Sequence, residues 1–165
     1  MRLLGLDERQ PIDSLLRKDC RFYTRWDALM AAFDTSIRQA AALPMKGGKA
    51  CIITSSNGKR WVIPKGLIEP GQTAGETALQ EAWEEAGLVG ALHPEPVGSY
   101  LYEKYGNTYH VIVFVMDVTR VAQDWPERGL RERNWVGPTG LFARIEDPGL
   151  LEVLRFALDK NYAAS

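Results

Sequence analysis

Between Gly66 and Leu88 the chain carries a segment that admits essentially one local structure. Pro70-Gly71 makes a turn, and Thr73 with Glu76 forms a Thr-x-x-Glu capping box, in which each side chain satisfies a backbone N–H at a helix start. Gly87 stands where a left-handed residue closes a helix. The spacing therefore predicts a helix between Thr73 and Gly87. At about 100° per residue, Leu79, Ala82, Trp83 and Ala86 share one side, which predicts a core face. Glu81, Glu84 and Glu85, at i, i+3 and i+4, share a face as well, expected opposite to the core. Like charges this close raise one another's pKa. A solvated acidic face accommodates them, and so does a hard divalent cation, Mg²⁺ or Mn²⁺, which takes oxygen ligands and brings substrate phosphates with it. The bounding glycines and the capping box weigh toward the cation.

In register and residue type this stretch resembles the Nudix box. Gly66, Glu81, Glu84, Glu85, Gly87 and Leu88 match, whereas Gln72 stands where that pattern has glutamate and Gln80 where it has arginine. The lead-in Arg60-Trp61-Val62-Ile63-Pro64-Lys65-Gly66, together with Asp124-Trp125-Pro126-Glu127 and Arg131-Glu132-Arg133-Asn134-Trp135, is similar to the diphosphoinositol polyphosphate phosphohydrolase branch of that superfamily, which also includes dinucleoside polyphosphate hydrolases. The likeness covers roughly residues 38–160. The resemblance implies an α/β fold, an α/β/α sandwich with a central mixed sheet, and an Mg²⁺- or Mn²⁺-dependent hydrolase that cleaves a pyrophosphate bond. It also implies site roles. Glu84 and Glu85 are first-choice metal ligands, Glu81 is a ligand or the base, and the Gly66 carbonyl is a further ligand; the three glutamates carry catalysis. Some relatives add an acid from a later loop, for which Glu127 and Glu132 are the candidates. Arg38, Arg131 and Arg133 occupy regions where that branch places basic residues.

The two glutamines replace an acid and a base by neutral amides, so the formal charge of the segment is unchanged. Gln80 can still donate to Glu84 four residues on, by a bond weaker than a charge-assisted one. The alternative reading is a ligand-binding or regulatory module on the same scaffold, with catalysis weakened at these positions.

A polyphosphate needs cationic clamps, and arginine's planar fork suits it. Lys65 directly precedes the box and Arg60 opens the strand leading to it, so both are expected to face substrate. A formal net charge of −1 over 165 residues provides no global basic field for nucleic acid, and no basic-aromatic stripe suggests single-strand binding. The expected partner is a small-molecule polyphosphate. Two cysteines, Cys20 and Cys51, are too few for a disulfide framework and lack metal-type spacing. The opening residues reach Asp7, Glu8 and Arg9 too soon for a signal-peptide core, and no run approaches transmembrane length, so a cytoplasmic address is expected.

Residues 1–37 read as a helical extension preceding a domain over 38–165. Trp26, Leu29, Met30 and Phe33 recur with helical period, a stripe that docks on the domain or mediates a homodimer. Strands are expected at Ala40–Met45 and Ala50–Thr54, with an Asn57-Gly58 hairpin turn into Arg60–Ile63. Val97–Tyr105 and Thr108–Val118 flank a Gly106-Asn107 turn, and Arg133–Val136 is a further strand. Asp147-Pro148 offers an N-cap and an N1 proline to a last helix, with Leu151, Leu154 and Leu158 inward. His110 is expected to be structural, and the tyrosines of the second hairpin to be packing.

Overall fold

The computed structural model describes residues 35–160. The helix expected within 1–37 lies outside the described residues. The elements are β1 (Ile37–Lys46), β2 (Lys49–Thr54), β3 (Trp61–Val62), β4 (Lys65–Leu67), α1 (Ala74–Ala86), β5 (Leu88–Leu92), β6 (Gly98–Lys104), β7 (Asn107–Val121), β8 (Arg133–Val136), α2 (Pro138–Arg144) and α3 (Pro148–Asp159).

The long central pair is β1 and β7, parallel from Ile37↔Tyr109 to Met45↔Asp117. Every other pairing is antiparallel, so the eight-stranded sheet is mixed, with the path β3-β2-β1-β7-β5. On its outer side β1 divides its partners. Gln39, Ala40 and Ala41 pair with β4, while Met45 and Lys46 pair with β2. Pro44, which has no N–H to donate, falls in the interval between those two registers. This fork in the sheet brings Lys65 and Gly66 across α1.

Both faces of β1 are buried, and its alternate residues serve two cores. Ala40 and Ala42 meet Ala78, Ala82 and Ala86 of α1 together with Cys51, Ile53 and Phe114. Ala41, Leu43 and Met45 face the other side, with Leu141 of α2 and Leu150, Val153, Leu154 and Ala157 of α3. Helices thus cover both faces of a mixed sheet, which is the expected α/β/α sandwich. Among the described residues, no helix is long and apolar enough to cross a membrane.

Helix α1 keeps both predicted ends. The Thr73 hydroxyl accepts the Glu76 N–H, the Glu76 carboxylate accepts the Thr73 N–H, and Gly87 closes the helix at φ 65°. Its expected core face is rotated, however. Leu79 is 37% exposed, Trp83 is half-buried, and the alanines at 78, 82 and 86 make the contact. Small side chains let the helix lie close to the sheet. The same rotation brings Glu85, seven residues beyond Ala78 and so almost above it, to the buried side; it is 6% exposed.

Four further expectations change. The loop between β2 and β3 spans 55–60 instead of turning at Asn57-Gly58 alone, because Asn57 Oδ1 accepts the Ser55 hydroxyl at 2.8 Å and the Lys59 N–H at 3.1 Å. Arg60 therefore lies in the loop. The second hairpin turns at Tyr105-Gly106, with Lys104 opposite Asn107. That register sets Tyr102 against Tyr109, rings stacked with centroids 4.9 Å apart. In α3 the buried set is Leu150, Val153, Leu154 and Ala157, with Leu151 and Leu158 only partly covered. Finally β4, β5 and α2 had no counterpart in the sequence reading.

Candidate functional site

The site forms where β4 and the loop before β8 converge on the second half of α1. β4 crosses so close that a Cβ on residue 66 would overlap the Glu81 carboxylate. Position 66 thus admits only glycine while Glu81 keeps this pose. Burial raises the Glu81 carboxyl above the usual range, and the charges of Glu84 and Glu127 raise it further, opposed by Arg131 and Lys65. Next along the strand, the Lys65 N–H donates to Glu85 Oε2 at 3.0 Å. The other oxygen of Glu85 meets the Arg131 guanidinium. Burial pushes the Glu85 carboxyl up to about 7, against the Arg131 charge and the Lys65 N–H.

From the far side, residues 122–133 dock on the end of α1. The Glu127 N–H donates to the Glu84 carbonyl at 3.0 Å. Trp125 lies so near Gly87 that a Cβ there would stand 2.9 Å from the indole, apart from the strain of a left-handed backbone. Arg133 stacks on Trp125 at 4.3 Å and donates to the Ala86 and Ala122 carbonyls. Arg131 donates to Glu127, to Glu85 and, at 2.9 Å, to the Thr54 carbonyl.

Beside these groups opens a cleft of about 190 Å³. Lys65, Arg60, Lys104 and Arg131 line it together with Glu85, Tyr100, Tyr102, Glu146 and Asp147. The Lys65 ammonium is held by Gln39 Oε1 at 3.3 Å and the Tyr102 hydroxyl at 3.1 Å, over the Tyr102 ring at 4.8 Å. Burial lowers its pKa, though the Glu85 charge opposes this.

Two of the five basic residues expected to bind substrate, Lys65 and Arg60, line the cleft as cations without an acidic partner among the described residues. Arg131 lines it while committed to two carboxylates. Arg133, also expected to contact substrate, is turned to backbone carbonyls and an indole and is not among the residues lining this cleft. Arg38 lies outside the cleft, exposed on β1 opposite His110. Of the later acids, Glu127 reaches the cluster and Glu132 stays exposed. Cys51 is buried, and burial pushes its thiol up to about 12, which leaves it inert. Sequence reasoning did not find Gln39, gave Tyr102 to packing, and named Glu127 and Arg131 without pairing them, although their i, i+4 spacing was a signal.

The donor set fits a hard cation: oxygens only, two of the carboxyls raised by burial, and a glycine cradle against one of them. The acids are not gathered into a closed ligand shell. Among the described residues no three His, Cys, Asp or Glu side chains form one, since Glu85 faces Arg131 and Glu84 faces Gln80.

Helices on both faces of a mixed sheet, with Glu85 of α1 at a cleft that also holds Lys65, Arg60 and Lys104, define the class of fold. The NUDIX domain family model matches residues 36–155, and the chain belongs to that family. It is 36% identical over 93 residues to Nudix hydrolase 12, mitochondrial, of Arabidopsis thaliana, covering 52% of this chain and 46% of that one. It is 32% identical over 80 residues to diphosphoinositol polyphosphate phosphohydrolase 2 of Mus musculus, covering 46% and 42%. The matched stretches span less than half the length of these two relatives. Among solved structures, a C. elegans Ap4A hydrolase superposes with TM-score 0.63 at 16% identity, covering 76% of this chain and 98% of that one, a likeness of fold.

Proposed function

We propose that this chain is a divalent-cation-dependent hydrolase of a phosphoanhydride bond in a diphosphate attached to a larger group. The observation that carries this reading is the adjacency of the Gly66–Glu81 cradle to a cleft lined by Lys65, Arg60 and Lys104. Glu81, Glu84, Glu85 and the Gly66 carbonyl would hold Mg²⁺ or Mn²⁺. When bound, the cation would screen phosphate oxygens and lower the pKa of water. Lys65, fixed by Gln39 and Tyr102, meets a phosphate with little ordering left to do, and Arg60 offers a planar fork to another. Where Glu84, Glu85 and the Gly66 carbonyl suffice for the cation, Glu81 is instead the base that takes the proton from water.

Diphosphoinositol polyphosphates and dinucleoside polyphosphates are the favoured substrates. The name of one relative and that of one fold neighbour support them, and Lys65, Arg60 and Lys104 in the cleft suit a ligand read through its phosphates. Glu146 and Asp147, which also line the cleft, supply acceptors for hydroxyls of the attached group. The test is phosphate release across nucleotide, dinucleotide and inositol diphosphates, with and without Mg²⁺. No cation-dependent product from any of them overturns the proposal. A second reading, a ligand-binding module, draws on Arg131, which already neutralises Glu85. Binding of the same compounds without turnover would favour it.

A further inference from the structure

Gln72 and Gln80 touch. Gln72 Nε2 donates to Gln80 Oε1 at 2.7 Å, and Gln80 Nε2 donates to Glu84 Oε1 at 2.8 Å. Behind them the hydroxyl of Thr77, a residue 1% exposed, donates to Gln72 Oε1 at 3.1 Å. The two departures from the family pattern are thus consecutive links in one chain of hydrogen bonds that ends on a carboxylate of the proposed cation site.

The direction of that chain is fixed at its Glu84 end. An ionised carboxylate only accepts, so Gln80 must present its NH₂ to Glu84. Its carbonyl oxygen then faces Gln72, which must present NH₂ in turn and leave its own oxygen to Thr77. Each amide has one orientation that satisfies both neighbours, and the network sets which. We infer that Gln72 and Gln80 are a single positioning unit, a neutral relay that aims Glu84 at the cation. The inference rests on the reading of Glu84 as a cation-binding carboxylate.

The relay makes an asymmetric prediction. In Gln72→Glu the new side chain accepts only. Gln80 turns its NH₂ toward it, points its oxygen at Glu84, and Glu84 loses its donor. In Gln80→Arg the guanidinium donates to both neighbours; Gln72 turns over, and the Thr77 hydroxyl accepts instead of donating. The double variant Gln72→Glu with Gln80→Arg restores a donor to every acceptor. Charge alone predicts the reverse order, because an added carboxylate attracts a cation and an added guanidinium repels it.

Calorimetric titration of the full-length protein with Mn²⁺ alone separates the two, with melting temperature as a check on folding. Gln72→Glu should weaken Mn²⁺ binding about tenfold, the loss of one hydrogen bond to a charged group. Gln80→Arg and the double variant should stay within about threefold of the parent. On the fastest substrate of the phosphate-release panel, Gln72→Glu should lower kcat with little change in KM. Gln72→Glu at parental affinity, Gln80→Arg as the damaging single change, or a double variant no better than Gln72→Glu would each overturn the relay. Glu84→Gln is the control. Parental Mn²⁺ affinity in that variant overturns the role given to Glu84 itself, whereas a loss there with normal Gln72→Glu overturns the relay alone.

Discussion

The two faces of the sheet are built to different specifications. On the α3 side, Leu43, Ile52, Ile63, Leu141 and Leu154 fill a deep core with large branched side chains. On the α1 side, alanines at 40, 42, 78, 82 and 86 keep helix and strand close, with Ile53, Leu88, Phe114 and Met116 filling the same core. Large residues stabilise roughly in proportion to the area they bury, about 25 cal/mol per Å². Alanines bury little, but they hold the α1 carboxylates at the level of the strand edge where Lys65 and Gly66 cross. The α3 face holds the larger core, and the alanine contact on the other sets the geometry of the acids.

Variants on the two faces should separate turnover from folding. The largest effect is expected for Glu84→Gln, which should lower kcat by about 10²–10⁴-fold, the range for loss of a positioned catalytic group, with an unchanged melting temperature. Parental turnover on every compound of the panel would break the division. Leu154→Ala should do the opposite, lowering unfolding free energy by about 2–5 kcal/mol in urea titrations while the folded fraction keeps its specific activity. Lost activity in fully folded protein would mean that the α3 face also shapes the site.

Acidity should act on the α1 face selectively. Burial pushes the Glu85 carboxyl up to about 7 in the fold, against about 4.3 for an unperturbed glutamate. The folded state holds the extra proton, so the stability this group contributes is complete below about pH 4.3 and is lost as pH rises through about 7. A cation needs the ionised form, so Mn²⁺ affinity should climb through the same window and level off above it. Calorimetry at a series of pH values checks this, and a flat profile would exclude Glu85 from the ligands. The smallest effect is expected at the helix start: Thr73→Ala should cost about 1 kcal/mol through loss of the cap, measured by thermal unfolding, with little change in Mn²⁺ affinity.

The helix ends and the acid spacing were legible in the sequence because caps and helical periodicity are local. The phase of the buried face was not. Leu79 and Trp83 carry more apolar surface than Ala78, yet the close fit to β1 rewards small side chains, a tertiary constraint that hydropathy does not encode. The roles of the arginines were illegible for a similar reason. Arg131 and Arg133 lie two residues apart with the same charge, and only the docking of residues 122–133 onto α1 gives one to carboxylates and the other to carbonyls. β4 escaped notice because Lys65-Gly66-Leu67 is too short and too mixed to show alternation. Lys65 was foreseen on position alone; Gln39 and Tyr102, which hold it, come from strands distant in sequence and joined only by the sheet.

The parallel pairing of β1 with β7 also governs how the chain reaches this state. Ile37 waits for Tyr109, more than seventy residues downstream, before its first partner on that side exists. Loop closure on that scale is slow and leaves an apolar strand uncovered during synthesis. Chaperone dependence and aggregation of nascent chains should therefore track interruptions before residue 117, well ahead of any defect in the finished protein.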